Sequence, residues 1–432
     1  MKKILIGIFL LIILTIIYIY TLAIYNIPDS IIIFEGETIK VNNFLGFSIG
    51  NSDKTIETSS SSSKTINNAG KTTIEVSLFD NFFIKNMEVD VLPRTKVIPS
   101  GNIAGVKLYT SGILVVGMSE IEGEDNKKHK PYENSGIEEG DSIISIDNTK
   151  ISTTQDLIDT VNASSGKDLA IEYVHNNATA TCSITPVKTS NNEYKLGLWV
   201  RDSAAGVGTV TFYDPSTKCF GALGHGITDI DTEELINIES GEFITTQILN
   251  IKKGETGNPG RIQGTIDNQT NIGTISKNTK FGIYGKVSNP SALKIDSSKE
   301  MEVALREEIK EGPAKILCNL DGSSTKEYDI KIERIYRENN YDNKSMKIKV
   351  TDEELLNKTG GIIQGMSGSP IIQNGKFVGA ITHVLVNNPK EGYAVFADIM
   401  LKQIREVQTW LFGTFPKKQV FMTFWECLQK QG

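Results

Sequence analysis

Cysteine is scarce and scattered: the 432-residue chain holds 4, Cys182, Cys219, Cys318 and Cys427, with no C-x-x-C among them. That spacing writes neither a disulfide framework nor a metal site, and it argues against a cysteine nucleophile. Histidine is equally sparse, with 4 in the whole chain, so chemistry that needs an imidazole has few places to go. Positive charge is not in surplus. The net charge is −7, and no basic stripe is interleaved with aromatics, so nucleic acid is not an expected partner. A nucleotide-cradling loop is missing as well. The Gly-rich stretch from Lys253 to Arg261 lacks a Gly-Lys-Ser/Thr ending and any following helix pattern, and reads as a surface loop. Neither a cofactor nor a metal is expected.

What the chain does have is ordinary globular material, 39% hydrophobic and 22% charged, in a length that suggests two to four domains. Its N-terminus is the exception. Ile4 to Tyr25 form an almost unbroken apolar run behind Lys2-Lys3, long enough to cross a bilayer as a helix. The run is longer than a signal-peptide core, and Thr21-Leu22-Ala23 is only a weak cleavage cue, so an uncleaved signal anchor over residues 1–27 is favoured. A buried core helix would need a partner at the extreme N-terminus. The leading lysines put the N-terminus in the cytoplasm and the remainder outside the membrane.

Residues 28–92 alternate β-forming runs with the serine-rich stretch Thr58 to Lys64, a flexible linker by composition and a plausible site for self-proteolysis. A compact module follows between Val97 and Val187, within residues 93–190. It contains Gly112-Ile113-Leu114-Val115-Val116-Gly117, then Gly136-Ile137-Glu138-Glu139-Gly140-Asp141, an apolar strand, and a helix over Thr153 to Asn162 with Leu157, Ile158 and Val161 on one face. This order resembles a PDZ domain of the kind attached to bacterial proteases. The resemblance implies a groove that takes a peptide end as an added strand, with the loop opening at Gly112, Ile113 and Leu114 as its carboxylate-holding element.

From Gly206 to Ala397 short apolar runs recur between turn signals, which predicts an antiparallel barrel fold. The clear helix there opens with the capping pattern Thr351-Asp352-Glu353-Glu354. Two glycine-framed motifs carry chemistry. Gly365-Met366-Ser367-Gly368-Ser369-Pro370 sits before an apolar hairpin and presents a serine on a tight turn, whose Gly365 and Ser367 amides can face a developing oxyanion. Gly221-Ala222-Leu223-Gly224-His225-Gly226 supplies a lone histidine with a pKa suited to take a proton at neutral pH. His129 lies in a charged run and His175 in a polar turn, so both read as inert. His383, following the serine turn on an apolar strand, is placed to line a substrate pocket or to sit inside a strand.

The motifs Ala222-Leu223-Gly224-His225-Gly226-Ile227 and Thr359-Gly360-Gly361-Ile362-Ile363-Gln364-Gly365-Met366-Ser367-Gly368-Ser369-Pro370, behind an anchor and a PDZ-like module, resemble the stage IV sporulation protein B peptidases of endospore formers. The resemblance runs from about Val91 to Met400. It implies a mainly β chain: a trypsin-like double β-barrel serine peptidase over 191–402, with the PDZ domain before it and a transmembrane helix at the N-terminus. It also implies the triad His225, Asp352 and Ser367; Asp229 and Asp231 are rivals for the acid by their closeness to His225 in sequence, though four or six positions along the same turn is a poor place from which to reach the ring nitrogen facing away from Ser367. The implied partners are the chain itself and a membrane-bound regulator, whose cleavage releases an intramembrane protease that processes a late sigma factor. The implied place is the space between forespore and mother cell.

Two departures stand out. Met366 occupies the position where clipping-activated trypsin-like enzymes carry an aspartate, so activation by that ion pair is excluded. Residues 403–432 form an aromatic-bearing tail with no counterpart in the family. The reading from another class is a catalytically inactive PDZ scaffold, which has no need for both Ser367 and His225.

Overall fold

The computed structural model describes residues 2–25, 27–40, 45–51, 63–176, 178–337 and 342–412. Its first element is the apolar helix α1 (Lys2–Tyr25), within which Ile6–Tyr25 is long and apolar enough to be a single membrane span. A small β module follows. Its main sheet runs Ser30–Phe34, Phe82–Leu92, Gly70–Leu78, Phe47–Asn51, and its own apolar core includes Phe47, Ile74, Val76 and Val89. Most of the serine-rich linker lies outside the described residues.

The strand Ile103–Met118 explains how the rest is joined. Its first part pairs with Ile238–Lys252 on one side and with Leu198–Asp214 on the other. Those two strands are linked in turn through Arg261–Thr279, Gly282–Val287 and Cys219–Ala222, so six antiparallel strands return on themselves. Phe220, Phe243, Leu108 and Ile283 fill the interior. A second closed barrel follows, from Gly312–Cys318, Lys326–Ile335, Met346–Val350, Asn388–Phe396, Lys376–Leu385 and back to Pro370–Gln373. Its strands alternate buried and exposed residues, as in Lys326–Ile335, which is why they bury Tyr328, Ile330 and Ile332 on one face only.

The later parts of Ile103–Met118 and the early part of Leu198–Asp214 leave the first barrel and enter the PDZ module, where Gly117 pairs with Trp199 and Leu114 with Arg201. Residues 103–110 therefore belong to the barrel, and the module expected over 93–190 is inserted between two barrel strands. One long strand serves both units, so no composition shift marks the boundary. The helix α2 (Thr154–Ala163) is capped by Thr153, whose hydroxyl accepts from Asp156 while Asp156 accepts from the Thr153 amide. It buries Leu157 and Val161 against Ile113, Ile143 and Ile171.

The short helix α3 (Glu353–Thr359) starts at Asp352 and ends at Gly360 in the left-handed region. The last helix, α4 (Ala397–Phe412), runs through the boundary expected at 402. Its Lys402 pairs with Asp90 at 3.1 Å, tying the C-terminal end to the N-terminal β module. The rest of the expected tail, 413–432, lies outside the described residues.

Candidate active site

The two glycine-framed motifs come from different barrels and meet in one cleft of about 420 Å³, lined by His225, Ser367, Thr382 and His383. His225 stands on the turn leaving Cys219–Ala222. Gly226 beside it is packed tightly, since a Cβ there would lie 2.7 Å from the Thr279 carbonyl. The glycine fixes the turn against the barrel and does not clear space around the ring. Ser367 stands on the turn entering Pro370–Gln373. There Gly368, at φ +94°, lets the turn approach the first barrel: a Cβ would meet the Thr209 carbonyl at 2.4 Å. Thr209 also donates through its hydroxyl to the Gly365 carbonyl at 2.6 Å, so the nucleophile turn is stitched to the lobe that carries the histidine.

The imidazole of His225 is half-buried, and its Nδ1 lies 2.8 Å from the Gly226 carbonyl. A carbonyl can only accept, so Nδ1 carries the proton and Nε2 keeps its lone pair. Burial holds the pKa below the ordinary imidazole value, with the Gly226 contact opposing. The ring is thus neutral near pH 7, in the tautomer a general base needs. His383 faces it with ring centroids 5.5 Å apart, and desolvation followed by the repulsion of His225 lowers its pKa too.

The hydroxyl of Ser367 donates to the Thr382 carbonyl at 2.9 Å. The amides of Gly365 and Ser367 donate to no protein acceptor among the described residues, whereas those of Met366, Gly368 and Ser369 are all occupied. Two free amides on a rigid turn are what an oxyanion site requires. Met366 is fully buried in the second barrel's core. Ser369 is fully buried as well, beside Cys318, whose thiol burial pushes up to about 12.

Neither candidate acid is brought to His225. Asp352 is the N-cap of α3: one carboxylate oxygen accepts from the Leu355 amide at 2.9 Å and the other from the Asp329 amide at 3.2 Å. Asp229 is buried and turned away, paired with Arg201 and accepting from the amides of Asp231 and Thr232. Asp231 pairs with the same arginine at 2.8 Å. Asp352, expected as the acid, serves as a helix cap in this structure, and the group that lies against His225 Nδ1 is the Gly226 carbonyl. The Gly-rich stretch 253–261 is likewise more than a surface loop. Gly254 donates to Thr359, and Gly260 accepts from the Gln364 amide, one residue before the nucleophile turn.

The residues expected to form the peptide groove lie away from the groove beside α2. Ile113 is buried in the module core, Gly112 packs on the Ile143 carbonyl, and Leu114 pairs with Ser142 and Arg201, so none of the three lines the groove beside α2. That groove, about 650 Å³, runs between α2 and Leu196 to Val200. Ile158 and Trp199 stand exposed along it, and Gly197 turns through φ +77° at its end. Gly197-Leu198 carries the same Gly-apolar signal as the one read at Gly112-Ile113, and the sequence alone could have offered it. His175, read as inert, pairs with Asp141 at 2.8 Å, and His129 with Asp125 at 2.9 Å.

Comparison with known proteins gives two family matches. Residues 192–401 match the SpoIVB peptidase S55 family and residues 112–185 match the PDZ domain family. Residues 192–401 of the chain are thus a SpoIVB peptidase S55 domain. The chain is a serine peptidase that carries a PDZ domain. Among solved structures, the PDZ domain of the SdrC-like protein from Listeria monocytogenes is 20% identical over 21% of this chain and 87% of that one, with a TM-score of 0.17. No curated protein matches the chain.

Proposed function

We propose that this serine peptidase is held at the extracytoplasmic face of a membrane by α1, cleaves itself, and then cleaves a membrane-bound regulator in sporulation signalling. In this reading Ser367 attacks the scissile carbonyl after His225 Nε2 removes its proton. The Gly365 and Ser367 amides receive the oxyanion, and the imidazolium then protonates the leaving amine. His225 and Ser367 act as a dyad, with the Gly226 carbonyl fixing the tautomer. His383 lines the substrate side of the cleft. The groove beside α2 captures a peptide end as an added strand and so locates the substrate.

The observation that supports the catalytic part best is the meeting of Ser367 and His225 from opposite barrels beside two unoccupied amides. The location and the regulator rest on the family, whose members act between forespore and mother cell. The deciding experiment incubates purified chain and follows self-cleavage fragments. They are expected in the wild type and absent in Ser367→Ala and His225→Ala. Equal processing in all three would remove the self-cleavage reading.

A further inference from the structure

Three large aromatic side chains stand in the open at the tip of one hairpin in the N-terminal β module: Phe79, Phe82 and Phe83, with 55%, 65% and 58% of their surface exposed. A tip of this kind on a soluble surface is costly, because each ring leaves apolar area in water. Its backbone is committed to the display. Leu78 pairs with Phe82, leaving residues 79–81 as the loop, and Phe79 and Asp80 both adopt positive φ, at 49° and 63°. Gly46 leaves room for the ring, since a Cβ there would lie 2.5 Å from Phe79 Cδ1.

What the tip lies against decides its partner. The Phe79 ring contacts Tyr20 of α1, centroids 6.3 Å apart. Ala23, Ile24 and Ile27 continue the same side of the chain onto the core of the β module. Lys85, on the rising strand of the hairpin, donates to the Ile27 carbonyl and pairs with Asp29 at 2.8 Å, which pins the hairpin to the segment leaving the helix. Tyr20 is five residues before the end of the span at Tyr25. At 1.5 Å per residue the hairpin tip therefore sits about 7.5 Å inside that end. This is the depth at which amphipathic elements rest in a bilayer interface.

We infer that the Phe79–Phe83 tip is a second membrane contact, dipping into the lipid interface beside α1 and fixing the tilt and height of the β module over the bilayer. Phe79, Phe82 and Phe83 supply the apolar surface, and Asp80 at the apex keeps the insertion shallow. The inference rests on α1 spanning the bilayer and is independent of the peptidase chemistry.

The test uses the full chain reconstituted in phosphatidylethanolamine and phosphatidylglycerol vesicles containing a lipid brominated near the headgroup end of its acyl chain. Phe82→Trp is compared with Leu249→Trp, an exposed site on the first barrel, each after subtraction of the wild-type tryptophan signal. The added Phe82→Trp emission is expected to shift to the blue and to lose about half its intensity to the bromines, while Leu249→Trp is unquenched. Equal, unquenched emission from both variants overturns the inference. So does shielding of Phe82→Trp from acrylamide without bromine quenching, which assigns the tip to a protein partner or a second copy. Flotation of the chain with the vesicles reads the anchor itself, and its loss would overturn both the anchor and the tip contact while leaving the peptidase assignment untouched.

Discussion

The Ser367 hydroxyl donates to the Thr382 carbonyl at 2.9 Å, and it has only that one proton to give. The nucleophile therefore rests on the strand Lys376–Leu385 of its own barrel and not on His225. Rotation about χ1 is the motion open to this hydroxyl, and such rotations are fast on a side chain that is not fully buried. If substrate is laid along Thr382 to Val384, as proposed for the His383 side of the cleft, it competes for the same carbonyl and releases the hydroxyl towards His225.

Ser367→Ala should reduce cleavage by roughly 10⁶-fold, the scale at which loss of a hydroxyl nucleophile acts in serine peptidases. A serine-directed covalent reagent, followed by mass spectrometry, should mark Ser367 alone. Ser369, two residues on, has none of its surface exposed. A label on Ser369 would show that the turn is oriented differently from the geometry described above.

The acid limb of the pH–rate profile follows from the environment of His225. Catalysis requires the neutral ring, and burial lowers its pKa from 6.5. Activity is then lost as pH falls through the lowered value, so the midpoint of kcat/KM should lie below 6.5. A midpoint at or above that value, measured on a peptide substrate, contradicts the buried, carbonyl-oriented imidazole.

Asp352 separates two magnitudes. As the cap of α3 its loss in Asp352→Ala should cost about 1 kcal/mol, a fall in Tm of about 2–4 °C for a domain of this size. As a triad member its loss would cost roughly 10⁴ in rate. The cap geometry predicts the first outcome, with Asp352→Ala cutting within a few fold of wild type once its stability is accounted for. A rate loss of three orders of magnitude or more in Asp352→Asn would restore it as the orienting acid.

His225 and Ser367 were legible in the sequence because each is framed by its own glycines, and the reason for those glycines is local. The barrels were legible from short runs and turns. Asp352 was not, because one carboxylate after a threonine serves equally as a cap or as a distant orienter, and only the three-dimensional partners distinguish the two. The PDZ groove was missed for a related reason. Gly112 and Gly197 carry nearly the same local pattern, and the choice between them depends on which strand ends beside α2. The start of the module was not legible as a composition shift because Ile103–Met118 is one uninterrupted strand in two units.

The groove assignment is open to a direct measurement. Ile158 is exposed on α2 and faces the groove, so Ile158→Asp should leave the fold intact while placing a charge against an incoming apolar side chain. Binding of peptides with a free carboxyl end, read by fluorescence anisotropy, should weaken by about tenfold, which corresponds to ~1.4 kcal/mol. Val116→Ala, in the same module and away from that groove, should not produce this loss. Unchanged binding in Ile158→Asp moves the groove elsewhere.

Arg201 leaves the groove strand directly after Val200 and joins Asp229 and Asp231 on the turn that follows His225. Asp229 is almost wholly buried while Arg201 remains about a third exposed, so the pair is only partly shielded from water. Removing the cation leaves a buried carboxylate without its counter-charge, which is more damaging than removing both partners. Arg201→Met should therefore lower Tm by several degrees and slow cleavage, since the turn it braces carries the base. Adding Asp229→Asn to Arg201→Met should recover much of the lost stability, because the uncompensated charge is gone. The double-mutant cycle reads the coupling directly, and contacting charges of this kind give about 0.5–3 kcal/mol. If the single and double variants are equally stable and cut at the wild-type rate, Arg201 is a surface pair and has no hold on the His225 turn. If stability returns in the double variant but cleavage does not, the arginine positions the turn beyond its contribution to folding, and the strand that lines the peptide groove is mechanically joined to the catalytic histidine.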